Sequence, residues 1–145
     1  MTNRTYQKTY AGVSFLDEGL DPLDVTKRLR LPPDDVHRRG EPRLRRSRDG
    51  SVVEPYDPWP HGFWSMSSEN WVDSPRIETH VAWILQQLEP RADDVARLAQ
   101  HVEQARIFCF SLGRTNEPPT YPNALDARAR ALGLHIDIDH YHSRQ

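Results

Sequence analysis

The strongest constraint on the fold of this chain is a phrase that occurs twice, an extended apolar stretch running into a short helix. In the first copy, residues 9–16 lead through Leu20, Asp21 and Pro22 into a helical pattern that reaches Leu31. In the second, residues 106–112 pass through a polar loop into Tyr121-Pro122-Asn123-Ala124-Leu125, a helix to Leu132, then Gly133 and a strand. Two such halves side by side make one sheet with helices packed on it.

Local signals fill in the elements. Asp21 is placed to cap the first helix, with Pro22 at its first position and Val25 and Leu29 stacked one turn apart. Pro32-Pro33 is expected to end it. Residues 34–60 have no sustained periodicity and read as a long Arg- and Pro-rich loop, with at most a short strand at 51–54. Residues 62–68 (Gly-Phe-Trp-Ser-Met-Ser-Ser) read as a second strand. Ser74 is expected to cap a helix begun by Pro75, whose stripe is Ile77, Val81, Ile84, Leu85 and Leu88. Pro90 breaks it, and a further helix over 91–102 turns Val95, Leu98 and Val102 inward.

Residues 106–112 are apolar on both faces, the pattern of a central strand covered by helices. Gly133 sits where a left-handed helix end is wanted. In the last strand, 134–141, alternation puts Ile136 and Ile138 toward the core and His135, Asp137, Asp139 and Tyr141 on the other side. The expected order is β-α-β-αα-β-α-β. It describes an α+β, ferredoxin-like sandwich with a mostly antiparallel sheet and helices on one face. At 145 residues the chain reads as a single domain over 1–145.

Composition excludes several classes. One cysteine, Cys109, rules out an internal disulfide framework and a multi-cysteine zinc site. Residues 1–4 carry no apolar segment behind their charge, and the apolar run at 81–85 is too short to span a bilayer, so a soluble cytosolic chain without membrane contact is expected. Net charge is −2, yet six arginines lie between Arg38 and Arg48. Basic character is local. The excess of arginine over lysine fits a GC-rich bacterial genome as readily as a function.

The chain resembles the bacterial family called domain of unknown function 4279. The likeness rests on Leu20-Asp21-Pro22 with Val25 and Leu29, Leu31-Pro32-Pro33, Arg39-Gly40-Glu41-Pro42 and, most specifically, Gly62-Phe63-Trp64-Ser65-Met66-Ser67-Ser68-Glu69. It continues through 83–88 and Gly133-Leu134-His135-Ile136-Asp137-Ile138. The resemblance implies a one-domain bacterial protein and brings no reaction or catalytic residue with it. The arginines at 43–48 and the closing His140-Tyr141-His142 do not belong to that pattern.

Three constellations bear on function. The first joins Arg38, Arg39, Arg43, Arg45, Arg46 and Arg48 to Trp59, Phe63, Trp64 and Trp71. Arginine and tryptophan are the residues of protein-binding hot spots, and the same pairing of cations with aromatics serves single-stranded nucleic acid. The second, His135, Asp137 and Asp139, is spaced i, i+2, i+4. Two neighbours there could share a metal with ligands from elsewhere, but the outer two lie about 13 Å apart. The third is nucleophilic chemistry, for which Cys109 is too buried in an apolar strand and Ser65, Ser67 and Ser68 lack a Gly-x-Ser-x-Gly elbow. Ser67-Ser68-Glu69 reads as a loop cap.

The expected function is therefore a non-enzymatic binding module of a bacterial cytosol, an inhibitor or immunity-type protein with no cofactor, metal or catalytic set. Its contact residues are Arg39, Arg43, Arg45, Arg46, Arg48, Trp59, Trp64 and Trp71. Nucleic-acid binding through the same loop is the alternative, and a metal enzyme on the last strand the third reading. Oligomeric state is open.

Overall fold

The computed structural model describes residues 5–46, 50 and 52–143, with the backbone alone at 44–46 and 52–56. Its strands are β1 (Tyr6–Asp17), β2 (Asp35–His37), β3 (Arg43–Arg46), β4 (Val52–Tyr56), β5 (Gly62–Ser67), β6 (Gln104–Gly113) and β7 (His135–His142). Its helices are α1 (Pro22–Leu29), α2 (Ile77–Leu88), α3 (Ala92–His101) and α4 (Asn123–Ala131). The class is α+β. A five-stranded mixed sheet runs β2-β5-β1-β6-β7, antiparallel except between β6 and β7, and β3 and β4 form a separate hairpin.

Asp21 caps α1 as its position predicts, its Oδ1 accepting from the Leu23 N–H at 3.0 Å. The helix ends earlier than Pro32 would require, because Arg30 adopts a left-handed conformation (φ 56°) and its N–H closes onto the Thr26 carbonyl. The Ser74-Pro75 start is corrected. α2 begins at Ile77 with no side-chain cap, since the Ser74 hydroxyl is spent on the Arg76 N–H and its carbonyl on the core. Pro90 falls in a short 3-10 turn that joins α2 to α3. Gly133 takes the predicted left-handed geometry, φ 79°.

Residues 34–60 hold more regular structure than a loop. Asp35–His37 pairs with β5 at the sheet edge, and Arg43–Arg46 pairs with Val52–Tyr56. Paired backbone amides at the hairpin base, Gly40 to the Trp59 carbonyl (2.8 Å) and Trp59 to the Glu41 carbonyl (3.1 Å), extend that order.

The core lies on one side of the sheet. Val13, Phe15, Trp64, Met66, Ile107 and Cys109 pack with Val25, Leu29, Ile84, Leu85, Leu98 and Ala129 in a single apolar cluster fed by all four helices. Trp64, fully buried, donates its indole N–H to Thr26 Oγ1 (3.0 Å) and so locks β5 to α1. Here the reading of β6 needs correction. Its apolar character on both faces does not mean helices on both, because Phe108, Phe110 and Leu112 point away from the cluster and remain half-buried.

Candidate binding surface

The strand register defines what the uncovered face carries. Across it, His37, Phe63, Leu16 and Gln104 form one row, and Asp35, Ser65, Ser14, Arg106 and His135 the next. Then come Ser67, Gly12, Phe108 and Asp137, followed by Tyr10, Phe110 and Asp139. Gly12 matters because Phe108 lies across it. A Cβ there would fall 2.2 Å from Phe108 Cζ.

Two aromatic runs stand on this face. Tyr10 stacks on Phe110 (4.9 Å, 14°), which leans on Tyr141 (5.5 Å), a ring 55% exposed. At the other end the Arg43 guanidinium sits 4.7 Å over the Trp59 ring, Trp59 stacks on His37 (3.6 Å, 11°) and His37 lies near-parallel to Phe63 (5.1 Å). A cation over an indole is favourable. Burial holds His37 below the ordinary histidine value, opposed by Asp35 and Glu41 and reinforced by His61 and Arg43.

The structure divides the residues singled out from sequence. Arg43 and Trp59 meet in this stack. Arg39 is paired with Glu18 (2.6 Å) and Arg38 with Asp21 (3.2 Å), so both are engaged within the chain. Arg45 and Arg46 lie on β3, and Arg48 lies outside the described residues. Trp64 is withdrawn from the contact set because it is core. Trp71, 64% exposed, stacks on Trp83 of α2 (6.3 Å, 15°). It belongs to the helical side, beside a groove of about 510 Å³ lined by Val72, Ala82, Trp83, Pro122 and Leu125. The single surface expected from residues 38–71 is therefore two.

His135, Asp137 and Asp139 share the uncovered face, as parity predicts. Asp137 accepts from His135 Nε2 (3.1 Å) and Arg106 Nη1 (3.4 Å). Among the described residues no group of three His, Cys, Asp or Glu is placed to hold a metal ion. Cys109 is buried and its thiol is pushed up to about 12 by desolvation, with Asp137 adding to the effect.

Ser68 and His80 form a contact that sequence reasoning missed. Ser68 Oγ lies 2.6 Å from His80 Nδ1, and His80 Nε2 lies 2.8 Å from the Ser74 carbonyl. A carbonyl only accepts, so Nε2 carries a proton and, in the uncharged ring, the serine hydroxyl donates to Nδ1. Ser68 also accepts the Ala11 N–H (3.0 Å). Exposure of 0% and 1% leaves no approach for a substrate. A hydroxyl-imidazole pair so placed is a brace between β1, the end of β5 and α2.

Sequence parity could have found Phe108 and Phe110 once one face of β6 was known to be open. Nothing local marked His37.

Among the described residues no helix is long and apolar enough to cross a membrane. Comparison with protein families matches residues 7–143 to the one described as Domain of unknown function (DUF4279). No curated protein and no solved structure matches the chain.

Proposed function

The chain belongs to the DUF4279 family, which brings no established activity, and on that premise we propose that it is a non-enzymatic binding module of the bacterial cytosol, an inhibitor or immunity-type protein acting on a protein partner. The observation that carries this reading is the run from Arg43 through Trp59 and His37 to Phe63, standing beside a sheet face that no helix among the described residues covers. Arg43, Trp59 and Phe63 in this run are half-buried and His37 is buried between them, so what it offers a partner is the partly exposed edge of an aromatic cluster, the kind of apolar patch that supports an interaction site. Tryptophan and arginine at its margin are the usual anchors, and Arg43 favours an acidic patch opposite. A ferredoxin-like relationship goes with this reading. It is supported by β5 and β6, parallel to each other with β1 between them and α2 and α3 in the crossover.

Single-stranded nucleic acid is the second reading, because a guanidinium-capped aromatic stack also suits bases. Asp137, Asp139 and Asp35 on the same face weigh against a polyanion.

The test is affinity purification from the native host at low salt without nuclease, comparing the wild type with an Arg43→Glu/Trp59→Ala variant and with Trp71→Ala. A stoichiometric protein partner lost only in the first variant supports the proposal. Bound nucleic acid, released steeply by salt, supports the second reading. A solitary protein, or a partner indifferent to Arg43 and Trp59, overturns the proposed surface.

A further inference from the structure

β7 closes one side of the sheet, and among the described residues no strand pairs with its outer edge. At eight residues it is longer than a typical strand of about 5–6, whereas β2 on the opposite side spans three. An open strand edge presents unpaired N–H and C=O groups that template another strand. Two rows of side chains flank this edge. Toward the helices stand Ile136 and Ile138, only partly buried although their register partners Ile107 and Cys109 are fully so. Toward the uncovered face stand Asp137 and Asp139. Asp137 is held by Arg106 and His135, while Asp139 meets no counter-charge among the described residues.

We propose that the β7 edge receives an extended segment of another protein in which basic and apolar residues alternate. The like charges argue against a second copy of this chain paired about the middle of β7. In a two-fold antiparallel pairing with matched faces, a centre at Ile138 sets Asp137 opposite Asp139. Centres at Asp137 or Asp139 set each opposite itself. Like charges directly opposite destabilise a strand pair, and opposite charges stabilise it. Lysine or arginine at alternate positions repeats every ~6.5–7 Å, the spacing of the two aspartates along β7. The intervening apolar side chains then cover the exposed parts of Ile136 and Ile138. This is strand addition, with main-chain hydrogen bonds giving affinity and alternate side chains giving selectivity. It does not rest on the Arg43–Trp59 surface, which lies toward the other side of the sheet.

The experiment uses the full chain and an end-capped octapeptide alternating lysine and valine, with two controls. One has the same composition in two blocks; the other is the alternating peptide N-methylated along one edge. Binding is read by fluorescence anisotropy, and its location by amide hydrogen exchange. The alternating peptide is expected to bind about tenfold tighter than either control and to slow exchange in β7. Asp139→Lys should weaken it about tenfold and admit a glutamate-valine peptide instead. Asp139→Asn, which removes charge alone, should fall between. Equal affinity for the three peptides, binding without protection of β7, or no binding of any peptide would each overturn the proposal.

Discussion

Ser68 and His80, twelve residues apart in sequence, share a buried hydrogen bond of 2.6 Å that joins the end of β5 to α2. Ser68 stands within the Gly62–Glu69 segment that most strongly carries the family resemblance, and this contact supplies a physical reason for a serine there. Ser68→Ala strands the Ala11 N–H and His80 Nδ1 in the core, a loss of about 2–4 kcal/mol. Combined with His80→Leu in a double-mutant cycle, the two changes should fall short of additivity by at least ~0.5 kcal/mol. Additive losses in urea denaturation would show that the pair does not act as a unit.

Gly12→Ala should destabilise the fold by about 1–3 kcal/mol. The added methyl meets Phe108 Cζ at 2.2 Å and the Met66 carbonyl oxygen at 2.6 Å. Phe108→Ala in the same chain should recover part of the loss relative to Phe108→Ala alone, because only the ring contact is relieved. A neutral Gly12→Ala in thermal melts would contradict the packing of the uncovered face.

His37 links stability to pH. Its folded value lies below the ordinary 6.5 because burial penalises the charged ring. The unfolded chain therefore takes up the proton first. The contribution is present above about 6.5 and is lost as pH falls from there through the lowered folded value. His37→Phe should flatten the wild-type decline in melting temperature across that interval. Identical slopes for the two proteins would remove His37 as its source.

Cys109 should resist thiol reagents in the native state. Its thiol, raised to about 12, holds almost no thiolate at neutral pH, and the residue is 2% exposed. Labelling is expected to proceed at the rate of unfolding and to accelerate in denaturant. Rapid modification of the folded protein would be the opposite result.

Much of this structure is legible in single residues. Asp21-Pro22 announces α1, the Ile77–Leu88 stripe announces α2, and alternation alone assigns the two faces of β7. These signals are local, carried by capping chemistry or by one period of side chains. Pairings between distant segments left no such mark. Ser74 resembles a cap because a hydroxyl precedes a proline, but its carbonyl is claimed by Thr9 and His80. Arg38 and Arg39 look alike in sequence, and only the folded chain sets Asp21 beside the first and Glu18 beside the second. Trp71 lies close to Trp64 in sequence, yet one joins Trp83 at the surface and the other fills the core. Of the candidate surface, then, Arg43 and Trp59 were readable as residue types, and His37 only as a position in the finished sheet.

β1 lies between β5 and β6, so Ala11 finds Cys109 only after most of the chain between them has been made. Contacts of such sequence separation slow folding. During synthesis the first long strand can meet β5, α1 and α2 early, but its β6 side, where Ala11 and Val13 pair with Cys109 and Ile107, stays unpaired until β6 emerges from the ribosome.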